Sequence, residues 1–286
     1  MPELPEAEVV ARQLRVHLLG AQLNECWVGR ADIVREGLPT LSWYHGATLE
    51  GVERYGKSVA LGFKNEGEKR YIIAELGMTG LLLFRATQTK HPQHVHVRMS
   101  FRGSHESELR YWNPRRFGRL SLLDQAGLDR YRARRFGIDP LTVPSDEFVR
   151  LVQARRGRLK PLLMHQQVIA GIGNIYANEI LFRARLHPNR EVNRLRRTMI
   201  VTLHEIMQTV LREAISCGGS SVKDFFAPDG TEGQYKSRHL VYGKEGQPCP
   251  NRCGQTIRRL QSERSSFICP ACQICKTTLP FRAAPR

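Results

Sequence analysis

Four cysteines near the end of the chain restrict its fold more than any other feature. Cys249-x3-Cys253 is followed, after fifteen residues, by Cys269-x2-Cys272. Two close pairs, each on a tight knuckle, can set four thiolates tetrahedrally around one zinc ion. The stretch from Gln255 to Ile268 is long enough for a β-hairpin bearing Arg258, Arg259 and Arg264. The spacing therefore predicts a zinc ribbon. So small a module has little core, and the metal should supply its folding energy. Seven Cys in all, an odd number without an export signal, argue against a disulfide framework. Cys275 continues a CxxC spacing from Cys272 and reads as a bystander. Cys26 and Cys217 read as ordinary thiols.

Charge is the second constraint. The chain holds 44 Lys+Arg against 27 Asp+Glu, a formal +17. Such an excess suits a polyanion, and nucleic acid is the default partner. At 41% hydrophobic residues the chain can build real cores, which excludes general disorder. No run approaches the ~20 apolar residues of a membrane span. The start, Met-Pro-Glu-Leu-Pro-Glu, lacks the basic and apolar regions of a signal peptide. A cytoplasmic protein without a membrane partner is expected.

Periodicity divides the chain. Ala7, Val10, Leu14 and Leu18 share one helical face after Pro5, with Gly20 as a stop. Residues 47 to 123 read as strands. Val95, Val97, Met99 and Phe101 alternate with His94, His96, Arg98 and Ser100, the period of a half-buried antiparallel strand. Similar runs cover 58–63, 70–75, 80–84, 108–111 and 119–123. Residues 128–136 are Arg-rich, and Gly137, Pro140 and Pro144 suggest a linker. From Ser145 to Cys217 the period is helical, ending at Gly218-Gly219. The expected architecture is α+β and multidomain. An N-terminal antiparallel β-sandwich with a leading helix covers 1–135, and a linker 136–145. A helical domain covers 146–235, the zinc ribbon 236–276 and a tail 277–286.

Three motifs sit inside these elements. Removal of Met1 would leave Pro2 as a secondary amine, and secondary amines attack aldehydes readily, while an α-amino group has a pKa near 8 against a lysine's ~10.4. Glu3 and Glu6 are at hand for acid–base work. Taken alone, Pro2 and Pro5 are explained more simply as stiffening a helix entry. Gly171-Ile172-Gly173-Asn174 precedes a helical run, where converging N–H groups suit an anion. Its place between two helical stretches fits a DNA phosphate better than a nucleotide. Asn113-Pro114-Arg115-Arg116-Phe117-Gly118 is a basic–aromatic loop. It suits either a wedge into a base stack or a turn with one core aromatic.

Together these residues resemble the formamidopyrimidine-DNA glycosylase family, which includes the endonuclease VIII-like enzymes. The resemblance spans residues 1 to about 275. It rests on Pro2-Glu3-Leu4-Pro5-Glu6, Lys57 in a β-turn, Leu76-Gly77-Met78-Thr79-Gly80, Pro114–Gly118, Gly171–Glu179, and the ribbon run Arg264–Gln273. It implies a helix-two-turn-helix in the helical domain, one structural zinc on Cys249, Cys253, Cys269 and Cys272, and a monomer acting on damaged double-stranded DNA.

The resemblance also implies a reaction and its residues. A damaged base is flipped into a pocket. Pro2 attacks the deoxyribose C1′, Glu3 protonates the opening sugar, Glu6 orients the N-terminal segment, and Lys57 serves phosphate binding and β-elimination. Met78, Arg115 and Phe117 match void-filling residues. Asn174 and Arg264 match phosphate clamps. His91, Arg155, Lys160 and Lys223 fall at DNA- or lesion-contacting positions. The start PELPE and a loop over 228–240 lean toward oxidised purines. An oxidised-pyrimidine glycosylase and a non-catalytic damaged-DNA binder are the alternatives.

This chain departs from the pattern in places. Where the family usually has a phosphate-contacting His, it has Glu75, a charge of the wrong sign. If Glu75 faces phosphate, replacing it by His should tighten binding. Asn113 stands where Asp is usual, the His91–His96 segment differs from the usual acidic pattern, and the first zinc knuckle has three intervening residues where two are common.

Overall fold

The computed structural model describes residues 2–89, 91–221, 225–261 and 264–274. Lys223, Cys275 and the tail lie outside them. The chain forms two compact units, each assembled from separated stretches. One holds residues 1–141, 166–172 and 211–238, the other 142–165, 173–210 and 239–286.

The first unit opens with α1 (Leu4–Leu18). Pro5 sits in its first turn, where a missing N–H removes no helical bond. Ala7, Val10, Leu14 and Leu18 are fully buried, as their spacing requires. Nine strands follow: β1 (Gln22–Val28), β2 (Val34–Glu36), β3 (Thr48–Tyr55), β4 (Ser58–Asn65), β5 (Glu68–Glu75), β6 (Leu81–Phe84), β7 (Val95–Arg102), β8 (Glu108–Trp112) and β9 (Leu120–Asp124). Their order is β2-β9-β5-β4-β3-β1-β7-β8-β6, antiparallel except for the edge pair β2–β9. β1 and β3 meet at their ends, where the Gln22–Thr48 pair is flanked by Leu23 N–H to Ala47 O and Leu49 N–H to Ala21 O, both at 2.9 Å. Leu49, Leu61 and Phe63 of one half and Val97, Met99 and Phe101 of the other meet in one core with α1. This is the expected sandwich with its leading helix.

One helix in this unit has no periodic signal. In α2 (Gln125–Arg135) only Gly127, Leu128 and Tyr131 are buried. The Asp124 carboxylate caps it by accepting from Gly127 N–H at 2.7 Å.

The second unit contains α3 (Ser145–Gln153), α4 (Leu159–Met164), α5 (Asn174–Arg183) and residues 197–210 of α6 (Arg197–Ser216). Phe148, Leu159, Leu163, Ile180, Leu203 and Met207 are fully buried. β10 (Arg258–Leu260) pairs with β11 (Ser266–Ile268) as the expected ribbon hairpin. Its core is small: Val241, Cys249, Ile257 and Cys269 against Phe182 of α5. Among the described residues no helix is long and apolar enough to cross a membrane.

Candidate active site and nucleic-acid interface

Chain ends normally fray, yet Pro2, Glu3 and Glu6 are buried, the two carboxylates at 1% exposure. Glu6 explains why. Its Oε2 accepts from the Glu3 N–H at 2.7 Å, one arm of a capping box on α1. Its Oε1 accepts from the Ser220 N–H at 2.7 Å. Ser220 follows Gly219, whose φ is +83°, and a Cβ on Gly219 would lie 2.9 Å from Glu6 Oε1. Only glycine meets both demands. Leu4 N–H adds a bond to Gly171 O at 3.0 Å.

Gly171 links this start to the Lys57 turn. A Cβ there would stand 2.6 Å from Leu4 Cβ and 3.1 Å from Gly56 O. Gly56 and Lys57 form the two-residue turn between β3 and β4, closed by the Tyr55–Ser58 pair. The turn glycine has φ +57°. Leu4 is thus bonded to Gly171, and the Lys57 turn packs closely against the same glycine.

Two loops present the expected void-filling residues. Met78 and Phe117 are 41% and 61% exposed, in a unit that otherwise buries most of its large apolar side chains. Arg115 is exposed beside Phe117. Buried Asn113 shapes this loop. Its Nδ2 donates to Tyr111 Oη (3.0 Å) and Gly118 O (3.2 Å), and its Oδ1 accepts from Arg116 N–H at 3.0 Å. An aspartate could not make the two donations, so the amide at this position suits the loop as built. His91, in the His-rich segment, is exposed and its carbonyl accepts from Trp112 Nε1 at 2.8 Å.

In the second unit Asn174 is the first residue of α5, and Arg155 and Arg264 are exposed. Lys160, at a position where the resemblance implies a DNA or lesion contact, is buried. It is 4% exposed, and its ammonium donates to Ser265 O (2.8 Å), Ser266 Oγ (2.9 Å) and Arg264 O (3.3 Å). Three acceptors at one hairpin turn satisfy a buried ammonium. Lys160 holds the turn that carries Arg264.

Two further residues were not singled out from the sequence, although both lie in the Gly171–Glu179 run. Asn178 Oδ1 accepts from Phe267 N–H of β11 at 2.7 Å, while its Nδ2 donates to Asn174 O at 2.6 Å. Glu179 is fully buried and accepts from the N–H groups of Leu240, Val241 and Tyr242 at 2.8, 3.0 and 2.8 Å. Burial pushes its carboxyl up, against the pull of these three donors. In Glu179→Gln an amide NH2 would face an N–H. Leaving one donor unmet should cost roughly 2 kcal/mol, which amounts to about thirtyfold faster hydrogen exchange at the Leu240, Val241 and Tyr242 amides. Unchanged exchange would mean that the carboxylate does not hold this segment.

The four cysteines converge as their spacing predicts. All four Sγ atoms lie within 4.8 Å of one another, Cys249 and Cys272 at 3.7 Å, Cys253 and Cys269 at 3.4 Å. A tetrahedral site with Zn–S near 2.3 Å has S···S separations of about 3.8 Å. A disulfide needs about 2.05 Å. The donor set fits one thiolate-bound metal ion.

Residues 1–120 match the family described as formamidopyrimidine-DNA glycosylase N-terminal domain, and residues 136–226 match its H2TH domain. The formamidopyrimidine-DNA glycosylase of Thermomicrobium roseum is 37% identical over 292 residues, covering 96% of this chain and 99% of that one. That of Solibacter usitatus is 35% identical over 277 residues, with coverage of 96% and 99%. Among solved structures, the MutM (Fpg) protein of Thermus thermophilus has a TM-score of 0.81 at 36% identity, covering 95% of this chain and 98% of that one. The Lactococcus lactis Fpg in complex with abasic-site DNA has a TM-score of 0.84 at 29% identity, with coverage of 95% and 99%. Sequence, fold and the four-cysteine ribbon agree, and the chain belongs to the formamidopyrimidine-DNA glycosylase family.

Proposed function

We propose that this glycosylase removes oxidised purines, 8-oxoguanine and formamidopyrimidines, from double-stranded DNA and cuts the strand as an AP lyase. The observation that carries the reading is the buried, doubly anchored N-terminus. A helix entry needs only its cap. A nucleophilic amine needs a fixed direction, and the Glu6 bonds to Glu3 and Ser220 supply one.

In this reading the Pro2 amine, exposed by loss of Met1, attacks C1′ of the flipped nucleotide, and the base leaves with the bonding electron pair. Glu3 delivers a proton to the sugar ring oxygen as the ring opens to an iminium ion. The iminium acidifies the C2′ proton, whose loss expels the 3′-phosphate. A second elimination expels the 5′-phosphate. Lys57, on the turn packed against Gly171, neutralises phosphate charge during these steps. Met78, Arg115 and Phe117 fill the space the base has left. Asn174, Arg264, Arg155, His91 and Lys223 bind the DNA. Lys160 acts by positioning the Arg264 turn. Cys249, Cys253, Cys269 and Cys272 hold one structural zinc, which contributes folding energy and no chemistry.

The loop over 228–240, long enough to cover a flipped purine, supports the purine reading. Its Pro228–Thr231 turn is tied down by Gln13 Nε2 donating to Asp229 Oδ2 (2.8 Å), Thr87 Oγ1 to Pro228 O (2.7 Å) and Phe84 N–H to Pro228 O (2.9 Å). With 8-oxoguanine:cytosine and thymine glycol duplexes side by side, excision of 8-oxoguanine should be at least about tenfold faster. Borohydride should trap an adduct that maps to residue 2. The reverse preference would assign the chain to the oxidised-pyrimidine branch. Binding without trapping would leave only a damaged-DNA binder.

A further inference from the structure

Glu75 does not face open solvent. Its Oε1 accepts from Arg35 Nη1 (2.9 Å) and Tyr131 Oη (3.1 Å) and pairs with Arg135 Nη1 (3.1 Å). Its Oε2 accepts from Arg35 Nη2 at 3.2 Å. The Glu75 side chain is only 14% exposed, whereas the Arg35 and Arg135 side chains are each 39% exposed. Arg35 lies on the edge strand β2, and Arg135 is the last residue of α2 with its Cζ 4.9 Å from the Tyr131 ring centre.

We propose that Glu75 holds Arg35 and Arg135 as a two-guanidinium seat for a DNA backbone phosphate beside Lys57. The proposal rests on the reading of the chain as a DNA glycosylase. One carboxylate is neutralised by the bidentate Arg35, so Arg135 is surplus and the cluster carries a net positive charge. A guanidinium has five N–H donors. Arg35 uses two on Glu75, and Arg135 is held by the 3.1 Å ion pair alone. Forks fixed at one end offer the remaining N–H groups at little further loss of rotamer freedom, and they match the oxygens of a phosphodiester.

Glu75 pairs with Ser58 in the β4–β5 ladder, and Ser58 directly follows Lys57. Ser58 Oγ is 3.3 Å from Tyr131 Oη. The seat and the Lys57 turn therefore share one end of the same strand pair. The Glu75 carbonyl accepts from Tyr111 Oη at 2.7 Å, and Tyr111 in turn bonds Asn113 of the Arg115–Phe117 loop. A residue with the wrong charge for phosphate thus presents two of the right charge. This reverses the expectation that Glu75 simply repels the backbone.

The test is binding to a duplex with a tetrahydrofuran abasic analogue, titrated over KCl concentration. Arg35→Gln and Arg135→Gln should each weaken binding about five- to tenfold near 0.15 M salt, and each should reduce the log–log salt slope by about 0.9. Glu75→Gln should weaken binding in the wild-type background. In the Arg35→Gln/Arg135→Gln background it should tighten binding, because a bare carboxylate then faces the phosphate. Unchanged affinity and slope in both arginine variants would overturn the proposal, and so would tightening by Glu75→Gln in both backgrounds. The arginine variants lie on an edge strand and a helix end, so they decide the matter even if Glu75 variants fold poorly. If the wild-type protein does not bind this duplex, it is the glycosylase reading that fails.

Discussion

A protein that keeps Met1 ahead of Pro2, or carries an N-terminal tag, should still bind abasic-analogue DNA while losing borohydride trapping and strand cleavage by about ten-thousandfold or more. The added residue turns the Pro2 secondary amine into a tertiary amide, whose nitrogen pair is delocalised and cannot form an iminium ion. Binding should persist because the exposed Arg115, Phe117 and Arg264 are distant in sequence from the change. The comparison needs equal protein and DNA concentrations, with a gel shift for binding and denaturing electrophoresis for cleavage. Normal cleavage by the Met1-retaining form would remove Pro2 from the mechanism. A loss of binding in step with cleavage would instead mean that the N-terminal segment is mainly structural.

Loss of the metal should have the second-largest effect. Cys269 lies in the ribbon core at 0% exposure. Cys269→Ala removes one of four ligands and a core side chain together. Structural zinc contributes on the order of 10 kcal/mol to modules of this kind, far more than the Val241–Ile257 core can replace. The ribbon hairpin should melt, and with it the turn where Lys160 meets Ser265 and Ser266. DNA affinity should fall by about a hundredfold or more as Arg264 loses its fixed position. The wild-type protein should contain one zinc per chain by atomic absorption, and strong chelators should reproduce the variant. Full DNA affinity after chelation would refute a supporting role for the metal.

Much of this was legible because it is local. Alternation marked β4 to β9 to within a few residues, and the Cys spacing announced the ribbon. β1 escaped because a register shift between Leu23 and Glu25 breaks its alternation. α2 escaped because its exposed arginines leave almost no apolar stripe. The site divides along the same line. Pro2, Glu3, Lys57 and Phe117 stand in short motifs. The partners of Glu6, Glu179 and Lys160 lie far along the chain, and no pattern in one sequence reports such distant pairings. Lys160 stands where the resemblance implies a DNA contact, and its ammonium bonds Ser265 O and Ser266 Oγ inside the protein. Glu75 shows the reverse case, an acid whose effect depends on the two arginines that cover it.

The Glu6–Ser220 bond joins positions 214 residues apart, and this separation has a consequence for biosynthesis. Chains grow at about 5–20 residues per second. Pro2 therefore leaves the ribosome roughly 10–40 s before its anchor has been made. During that interval the Glu6 carboxylate lacks the Ser220 N–H that it binds in the folded unit. In the proposed mechanism the reactive end is thus built first and armed almost last, so a truncated chain that stops short of residue 220 would carry the proposed nucleophile without its aim.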